Sequence, residues 1–285
     1  MFTAFCKFAN GQIQSWDIDP MYPLLKHAYG LKNLNTEQAI WHTLLYLAWY
    51  HIGSAEVAWK RWPEPCHVMG PPLPTGIERR GFRANQKAYD NINATLEYAR
   101  ARFGSLTKWV GAVVGAGGEK GWVSVRRDLE QLPWMGTWAS YKWADLVKHT
   151  LSFNITANDI GVGGGSPTAG PIPGMVHLTG ETWKRCATDV ALQKELFQES
   201  LSAGAQFKGL DQMETSLCDF NSVIKGRYYM GHDIDMNQEQ LQHSAFLKQC
   251  RAAVFPKKYL GEFNNWTGVR KHLKDHFKKT GEILL

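Results

Sequence analysis

The sequence predicts a mainly α fold, arranged as one compact unit of two helical lobes over residues 1–285. Apolar residues recur at helical spacing in several long stretches, and polar capping pairs stand at the start of some of them. No long stretch alternates apolar and polar residues as a half-buried strand does, and no internal repeat is visible. With 44% hydrophobic residues, a chain of this length can bury one large core or two small ones.

The first predicted helices lie before the middle of the chain. The capping pair Asn35 and Gln38 predicts a long, mostly buried helix that continues to about Arg61. The proline-rich stretch Pro63–Pro74 ends this helix, because proline cannot donate the hydrogen bond that a helix interior needs. A second helical pattern then covers Asn85–Phe103, with apolar residues on one face.

Glycine-rich stretches separate the remaining helical patterns. Trp109–Gly121 predicts a loop, and its glycine spacing does not match the fingerprints of nucleotide-binding folds. Asn154–Gly174 predicts a second, Gly/Pro-rich loop. The later predicted helices are Thr179–Ser200, one capped by Asp211 and Glu214, one capped by Asn237 and Gln240 and ending near Ala253, and one from about Asn265 to Lys279.

A helix-hairpin-helix is predicted at about residues 122–151, where Leu132–Gly136 separates two short helices. Proline fixes one dihedral angle of this turn, and glycine permits a tight reversal. The second helix then begins with free amide N–H groups, which attract an anion together with the helix dipole. We therefore expect Gly136, Thr137 and Trp138 to contact phosphate, while Ala139 and Ala144 let the two helices pack closely.

The net charge of +6 is unevenly distributed along the chain. Residues 251–285 hold eight Lys or Arg against three Asp or Glu, and residues 76–108 hold seven against three. The first of these patches predicts a basic C-terminal helical segment. Both patches fit a polyanionic partner, although the need for solubility would also explain them.

Composition argues against several classes of protein. The five cysteines are scattered without the paired spacing of a disulfide framework or a zinc site. His272 and His276 could share a helix face, but the lysines around them would repel a cation, so we predict no metal site and no cofactor. No apolar run approaches the roughly 18 residues that span a bilayer, and residues 1–10 do not resemble a signal peptide. The expected location is the cytoplasm, without a membrane partner.

The hairpin resembles the helix-hairpin-helix of the DNA glycosylase superfamily, which implies a glycosylase-like, two-lobed helical fold on double-stranded DNA. Asp159 follows the hairpin glycine at about the distance where these enzymes place their catalytic aspartate. Glycosylases with lyase activity carry a lysine nucleophile two residues after the hairpin glycine, and this chain has Trp138 there. Strand cleavage through a Schiff base is therefore disfavoured.

Two further segments resemble a narrower family. Trp41–Ser54, and Cys218-Asp219-Phe220 followed by Lys225–Asp235, are similar to the phage amino acid:DNA transferases, which are related to the α-glutamyl/putrescinyl thymine pyrophosphorylases. This resemblance implies a transferase that works on 5-hydroxymethyluracil already activated by a DNA kinase as its phosphate or pyrophosphate ester. The amine of a free amino acid such as glycine or serine replaces the phosphate, and the base is extruded from the duplex. Such a reaction would take place in the host cytoplasm during infection.

The densest polar segment of the chain supplies the candidates for amino-acid binding. Arg227 could clamp the carboxylate beside Tyr228 and Tyr229, while Asp233 or Asp235 accepts the ammonium or its proton. The alternation of the two aspartates fits extended backbone, and a divalent ion between them is an alternative for which no further ligand is evident. In another interpretation, both aspartates only cap the helix that follows.

The remaining candidates would serve the base and its phosphate. Asp159 could stabilise a cationic methylene intermediate or deprotonate the amine, or it could simply cap the glycine loop after it. Cys218 could instead add to the uracil ring, although a lone cysteine is more often a core residue. Tyr50 and His51 could line the pocket or belong to the core. Three arginines could hold the leaving phosphate, contact the DNA backbone or remain solvated: Arg79, Arg80 and Arg83.

Two other functions stay open from sequence. A DNA glycosylase without lyase activity would use the same hairpin and Asp159, and would leave abasic sites in DNA. A non-catalytic helical DNA-binding protein would bind in a salt-dependent manner without turnover. The missing lysine at Trp138 and the elaborate segment after Lys225 favour the transferase over the glycosylase.

Overall fold

The computed structural model describes residues 1–76, 86–161, 170–241 and 244–255, and the short pieces 275–276 and 279–280. The described residues form fourteen α-helices, and no strand is found among them. The mainly α prediction is thus confirmed, whereas a glycosylase-like arrangement of the helices stays a prediction. The helices are α1 Phe2–Ser15, α2 Met21–Leu31, α3 Thr36–Trp49, α4 Ile52–Arg61, α5 Gln86–Phe103, α6 Leu106–Val114, α7 Gly118–Leu129, α8 Thr137–His149, α9 Pro171–Thr179, α10 Trp183–Thr188, α11 Val190–Ser202, α12 Leu210–Ile224, α13 His232–Leu241 and α14 Ala245–Val254.

The contacts divide the chain into two units. Unit 1 comprises residues 1–20, 157–238 and 252–285, and unit 2 comprises residues 21–156 and 239–251. In unit 1, α12 packs against α9 closely enough that a Cβ at Gly174 would clash with the Leu217 carbonyl oxygen. Helix α1 adds Phe5 and Phe8, whose rings lie 5.4 and 5.8 Å from that of Phe220.

Unit 2 has an aromatic core around α3, which is buried along most of its length because its apolar residues cover every face. Six tryptophans of this unit are at most 2% exposed. Helices α7 and α8 pack side by side, and Ala139 and Ala144 of α8 are almost fully buried, as expected for small residues between close helices. The buried tryptophans are Trp41, Trp49, Trp59, Trp109, Trp122 and Trp143.

The long helix predicted from Asn35 to Arg61 is two helices. The capping box of Asn35 and Gln38 is present, with the backbone N–H of Gln38 donating to the Asn35 side chain at 3.0 Å. Helix α3 ends at Tyr50, which is in the left-handed region with φ 48°. His51 then caps α4, and its Nδ1 accepts from the backbone N–H of Ser54 at 3.0 Å. The apolar spacing continues across this break, which is why the sequence did not reveal it.

Several later boundaries were also predicted wrongly. Helix α12 begins after Gly209, so Asp211 lies inside its first turn rather than capping it. Asn237 lies within α13, and its amide donates to the Asp233 carbonyl at 2.7 Å. The predicted helix Thr179–Ser200 is interrupted by Asp189, which caps α11. Polar residues in the first turn of a helix resemble capping residues in composition, so the sequence alone does not distinguish the two positions.

Two further loops were predicted where helices are found. Helix α6 occupies much of Trp109–Gly121, and α9 begins at Pro171, where proline replaces an amide that would have no partner in the first turn. The predicted basic segment at 251–285 lies almost wholly outside the described residues. In the part of the chain that the structure describes, no helix combines the length and apolar character needed to cross a membrane.

Candidate functional site: a carboxylate-rich loop and a helical hairpin

In unit 1 the loop between α12 and α13 is organised by Asp17, which lies just after α1. The Oδ2 atom of Asp17 accepts from the Tyr228 hydroxyl at 2.8 Å and from the Gly231 N–H at 2.7 Å. Its Oδ1 atom accepts from the Ile234 N–H at 3.0 Å. The carboxylate is completely buried. Asp17 therefore determines the shape of the loop that carries the predicted amino-acid site.

The two aromatic residues of this loop differ in their surroundings. Tyr228 is buried and packs edge-on against Phe8, with ring centroids 5.9 Å apart. Tyr229 is partly exposed, and its hydroxyl donates to Asp235 at 3.2 Å. The exposed side chain of Arg227 precedes them, after a turn in which Gly226 has φ 64°. The structure thus brings Tyr228, Tyr229 and Asp235 together.

Asp233 and Asp235 lie in the first turn of α13, so the expectation of extended backbone is wrong. The glycine before them, Gly231, adopts φ 88° and lets the chain enter the helix at once. Asp233 is partly exposed, and its Oδ1 lies 3.0 Å from His232 Nδ1. Asp235 is fully buried. Of the two carboxylates, Asp233 is the one that solvent can reach.

The site contains acidic residues that sequence reasoning did not select. Asp219 of α12 accepts from the Gln12 side-chain amide at 2.7 Å, and Asp19 accepts from the Thr215 hydroxyl at 2.7 Å. Asp219 belongs to the segment Cys218–Phe220 that carries the resemblance, so a signal for it was present. Nothing in the sequence around Gln12 and Asp17 indicates a functional site. Each joins the site only through a hydrogen bond to a residue about 200 positions away in the sequence.

Burial makes the carboxyl groups of Asp17 and Asp219 weaker acids than ordinary aspartates. It raises the pKa of Asp17 to about 6, although the hydrogen bonds from Ile234, Tyr228 and Gly231 oppose the shift. Burial followed by the charge of Asp233 raises the pKa of Asp219 well above its usual range. Burial and the nearby charges of Asp17 and Asp219 also raise the pKa of the Tyr228 phenol. A carboxylate with a raised pKa is a stronger base than an ordinary aspartate.

Asp159 also belongs to unit 1. It is partly exposed, and its Oδ1 accepts from the Gly161 N–H at 2.7 Å. This contact is the capping of the glycine loop that the sequence left open for this residue. Most of the glycine loop after Gly161 lies outside the described residues, so a role for Asp159 toward a nucleoside stays a prediction.

In unit 2 the hairpin between α7 and α8 is stabilised by its own buried residues and by a side chain of α5. Leu132 and Met135 are buried, and the Met135 N–H donates to the Leu132 carbonyl at 3.2 Å. The buried Asn91 of α5 donates to the Pro133 carbonyl at 2.9 Å. Between these anchors Trp134 is 50% exposed and in the left-handed region with φ 62°. The hairpin therefore presents a large aromatic ring to solvent at a backbone position that usually favours glycine.

The hairpin glycine is not required by the local backbone. Gly136 has φ −71° and ψ −175°, an ordinary extended conformation, so the tight reversal assigned to it is instead made at Trp134. No atom of the described chain lies within 4 Å of a Cβ placed at Gly136. Gly136 is the N-cap residue of α8 and has no side chain that could accept from its first amides. A residue without a Cβ here places no side chain over the Thr137 amide at the start of α8, where a helix attracts an anion.

Tyr50 and Trp138 are brought together in unit 2, with ring centroids 5.1 Å apart and nearly perpendicular planes. The Tyr50 hydroxyl lies 3.1 Å from that of Tyr22, and Tyr50 is 7% exposed. His51 is held as the cap of α4, and burial lowers its pKa to about 4. These residues form an aromatic layer behind the hairpin helix, in which a neutral His51 is the favoured form.

Two groups of predicted residues lie wholly or partly outside the described residues. Arg79, Arg80 and Arg83 lie outside the described residues, so their proposed hold on a phosphate stays a prediction. His272 also lies outside them, and with it the pair that it was considered to form with His276.

Comparison with known proteins identifies the family to which this chain belongs. The sequence model described as Amino acid:DNA transferase matches residues 75–229, which is more than half of the chain. The protein is therefore a transferase that acts on DNA. The chain belongs to the amino acid:DNA transferase family. No curated protein matches it.

The matched range covers parts of both described regions. It includes the hairpin, Asp159, Asp219 and the loop as far as Tyr229. Gln12, Asp17 and Asp233 lie outside the match, and so does the segment Trp41–Ser54. The side chains that organise the carboxylate-rich loop therefore come partly from beyond the matched residues.

Proposed function

We propose that this protein transfers a free amino acid, through its amine, onto the activated 5-methylene group of a uracil in double-stranded DNA. The group displaced is the phosphate or pyrophosphate ester of 5-hydroxymethyluracil. A kinase acting on hydroxymethyluracil in the same DNA would supply this ester. Family membership supports transfer of an amino acid onto DNA, and the resemblance of the chain to the phage enzymes supports this base and this leaving group.

The observation that carries the proposal is the loop held by Asp17. It places the exposed cation of Arg227 in the same loop as the partly exposed carboxylate of Asp233, with the phenol of Tyr229 between them in sequence. A free amino acid carries the complementary pair of charges on two groups attached to the same α-carbon. Arg227 would bind its carboxylate through a bidentate hydrogen-bonded pair, and Asp233 would attract its ammonium. The buried Asp235 accepts from the Tyr229 hydroxyl and would hold that side chain in place.

Three steps of the reaction would use residues of this chain. The amine must lose a proton, because only the neutral amine has a lone pair for attack. The nitrogen then forms a bond to the methylene carbon, and the carbon–oxygen bond to phosphate breaks with its electron pair leaving on oxygen. Arg79, Arg80 and Arg83 are proposed to hold that oxygen, and Asp159 to stabilise positive charge on the methylene carbon.

The hairpin would bind the DNA. The amides at Gly136 and Thr137 fit a backbone phosphate, since a helix start attracts anions and no side chain obstructs this one. Trp138, with Tyr50 and His51 behind it, would line the approach of the extruded base. Aromatic rings are the usual partners of such a base.

The experiment supplies DNA that carries 5-phosphomethyluracil or its pyrophosphate, together with glycine or serine, to the purified protein. Nucleoside mass spectrometry is expected to show a base whose mass has increased by the amino acid minus water, relative to hydroxymethyluracil. Phosphate release should match the yield. Abasic sites in place of a heavier base would indicate a glycosylase. DNA binding without any new nucleoside, across a panel of amino acids and polyamines, would contradict the transfer.

A further inference from the structure

A pair of side chains in unit 1, Gln12 and Asp219, has no role in the function proposed so far. Gln12 lies on α1 and Asp219 on α12, two helices that pack through the rings of Phe5, Phe8 and Phe220. The Gln12 Nε2 donates to Asp219 Oδ2 at 2.7 Å and lies 3.4 Å from the Tyr228 hydroxyl. This amide is therefore directed at the carboxylate and at the loop that carries Arg227.

The second polar atom of the Gln12 amide has no partner within the described chain. Gln12 is completely buried, and its Oε1 accepts no hydrogen bond from any described residue. Proteins rarely leave a buried acceptor unsatisfied, because the lost solvation is not recovered. The other half of the same amide is engaged with Asp219. An acceptor in this position points to a ligand that brings its own N–H donors.

The charges around Asp219 indicate the sign of that ligand. The charged groups that shift its pKa most are all carboxylates, Asp233 of α13 and Asp17 and Asp19 of the segment after α1, and each of them raises it. Asp219 is also partly exposed, so a ligand can reach it. Like charges this close favour the binding of a cation or the uptake of a proton.

An ammonium group fits this arrangement better than a metal ion. Among the described residues of unit 1, no three carboxylate, imidazole or thiol groups each place a ligand atom within 4.8 Å of the others. A divalent cation needs such a convergent set of oxygen ligands. An ammonium group needs only a few acceptors, and the Gln12 oxygen and the Asp219 carboxylate supply two of them.

We propose that Gln12 and Asp219 bind the α-ammonium group of the incoming amino acid, and that Asp219 removes the proton that must leave before attack. This inference rests on the proposed function and adds the residues that hold and activate the nucleophile. The Gln12 oxygen accepts one N–H of the ammonium, and Asp219 accepts a second. Gln12 Nε2 at the same time holds the Asp219 carboxylate in place.

The proton transfer to Asp219 precedes the attack on the methylene carbon. One N–H bond of the ammonium breaks, its proton moves to a carboxylate oxygen of Asp219, and the electron pair stays on nitrogen. That pair forms the bond to the methylene carbon as the phosphate leaves with the electrons of the carbon–oxygen bond. The product nitrogen is a secondary ammonium, and the Asp219 carboxyl returns its proton to water.

The test compares D219N with the surface control E195Q, since both variants replace one carboxylate of unit 1 by its amide and Glu195 is exposed on α11. Transfer onto DNA is measured with glycine and with aminooxyacetate, whose amine is already neutral at pH 7. Removing a general base costs about 10²–10⁴ in rate. We expect D219N to lose at least about a hundredfold in kcat/KM for glycine and less than about tenfold for aminooxyacetate, while E195Q keeps both.

Equal losses with the two amines would overturn the role in proton transfer, since a structural defect does not distinguish them. No loss with glycine would overturn it as well. A pH profile supplies a second readout, in which D219N should lose the rise in kcat/KM that accompanies ionisation of the wild-type group. Aminooxyacetate should show no such rise with either protein.

A second variant and a binding measurement separate this inference from the proposed function. Q12M keeps about the volume of Gln12 but removes both the Oε1 acceptor and the Nε2 donor to Asp219, so we expect a KM for glycine about tenfold higher, together with a lower melting temperature. Binding of ¹⁵N-glycine to the wild-type protein, D219N and Q12M is then followed by NMR. Glycine that binds the wild-type protein and neither variant supports the site even if no transfer occurs. Transfer with equal glycine binding in all three proteins overturns the site and leaves the proposed function intact.

Discussion

The carboxylate-rich loop of unit 1 and the hairpin of unit 2 are built in opposite ways. The loop is held by buried side chains, with Asp17 receiving three hydrogen bonds, and Asp17 and Asp219 have raised pKa values. The hairpin is held at its backbone carbonyls by the Asn91 amide and the Met135 N–H, and by two apolar anchors, and it exposes a glycine and a tryptophan. The first arrangement suits proton transfer and recognition of a small charged molecule. The second suits a phosphate backbone and a stacked base.

The largest expected effect of a single substitution is at Asp17. D17A would leave three buried donors without a partner, and each such group costs about 1–3 kcal/mol, so we expect the free energy of unfolding to fall by at least about 3 kcal/mol. Urea denaturation of D17A and of the exposed control E195A measures this difference. Equal midpoints for the two variants would show that Asp17 does not organise the loop.

The hairpin should respond in the opposite sense, with binding lost and stability kept. G136D places a favourable capping residue at the start of α8, so the melting temperature should be unchanged or higher. The same carboxylate would repel a backbone phosphate, and we expect the Kd for duplex DNA to rise by about tenfold or more.

The matched control is G111D, which makes the same charge change on α6 at a position that also has no atom within 4 Å of a Cβ. Fluorescence anisotropy at fixed salt compares the two variants, because charge changes alter DNA binding in a salt-dependent manner. Equal weakening by both would mean that only net charge matters and that the hairpin has no special role.

A smaller effect is expected for the exposed indole of the hairpin. W134A should weaken DNA binding by about fivefold, since an aromatic ring that stacks on a sugar or base contributes about 1 kcal/mol or more. Trp183 is similarly exposed, 45% against 50% for Trp134, but lies on α10 of unit 1. W183A is therefore the control, and competition binding should leave its affinity unchanged. The prediction fails if W183A weakens binding as much as W134A.

The smallest effect is on the pH dependence of stability. Two aspartates of unit 1 should make the protein less stable as the pH rises, whereas two histidines of unit 2 should make it less stable as the pH falls. The raised pKa values of Asp17 and Asp219 exceed the value of about 3.9 in an unfolded chain, so the contribution of both groups is complete below about pH 4. The contribution of Asp17 is lost as the pH rises through about 6, and that of Asp219 is lost as the pH rises through its own raised pKa. Burial lowers the pKa of His42 and of His51 to about 4, below the unfolded value of about 6.5. Their contribution is present above pH 6.5 and is lost as the pH falls toward 4.

Two variants separate these slopes in thermal unfolding between pH 4 and pH 8. D219N should reduce the loss of stability on the alkaline side. H51N keeps a capping side chain at the start of α4 and should reduce the loss on the acidic side. A wild-type slope that neither variant changes would contradict the assignment of these groups.

The sequence predicted features that are local and missed those that depend on distant contacts. Helical spacing, the Asn35 capping box and the Leu132–Gly136 hairpin each follow from neighbouring residues, and each is present in the structure. The break at Tyr50 was missed because a left-handed residue leaves no mark in apolar periodicity.

For the candidate site, the segment around Arg227 and Asp233 could be selected because its polar residues are dense. Its central residue, Asp17, could not be, since an isolated aspartate near the start of a chain gives no sign that residues 228–234 will fold onto it. Gln12 was missed for the same reason. Burial rather than local composition makes these side chains part of the site.

The division of labour between the two regions is tested most directly by steady-state kinetics with both substrates varied. R227A should raise the KM for glycine by more than about tenfold and leave the KM for DNA unchanged, because it removes a charged pair from the amino-acid site. G136D should raise the KM for DNA and leave the KM for glycine unchanged. If both variants raised the same KM, the two regions would not have the separate roles that their construction indicates.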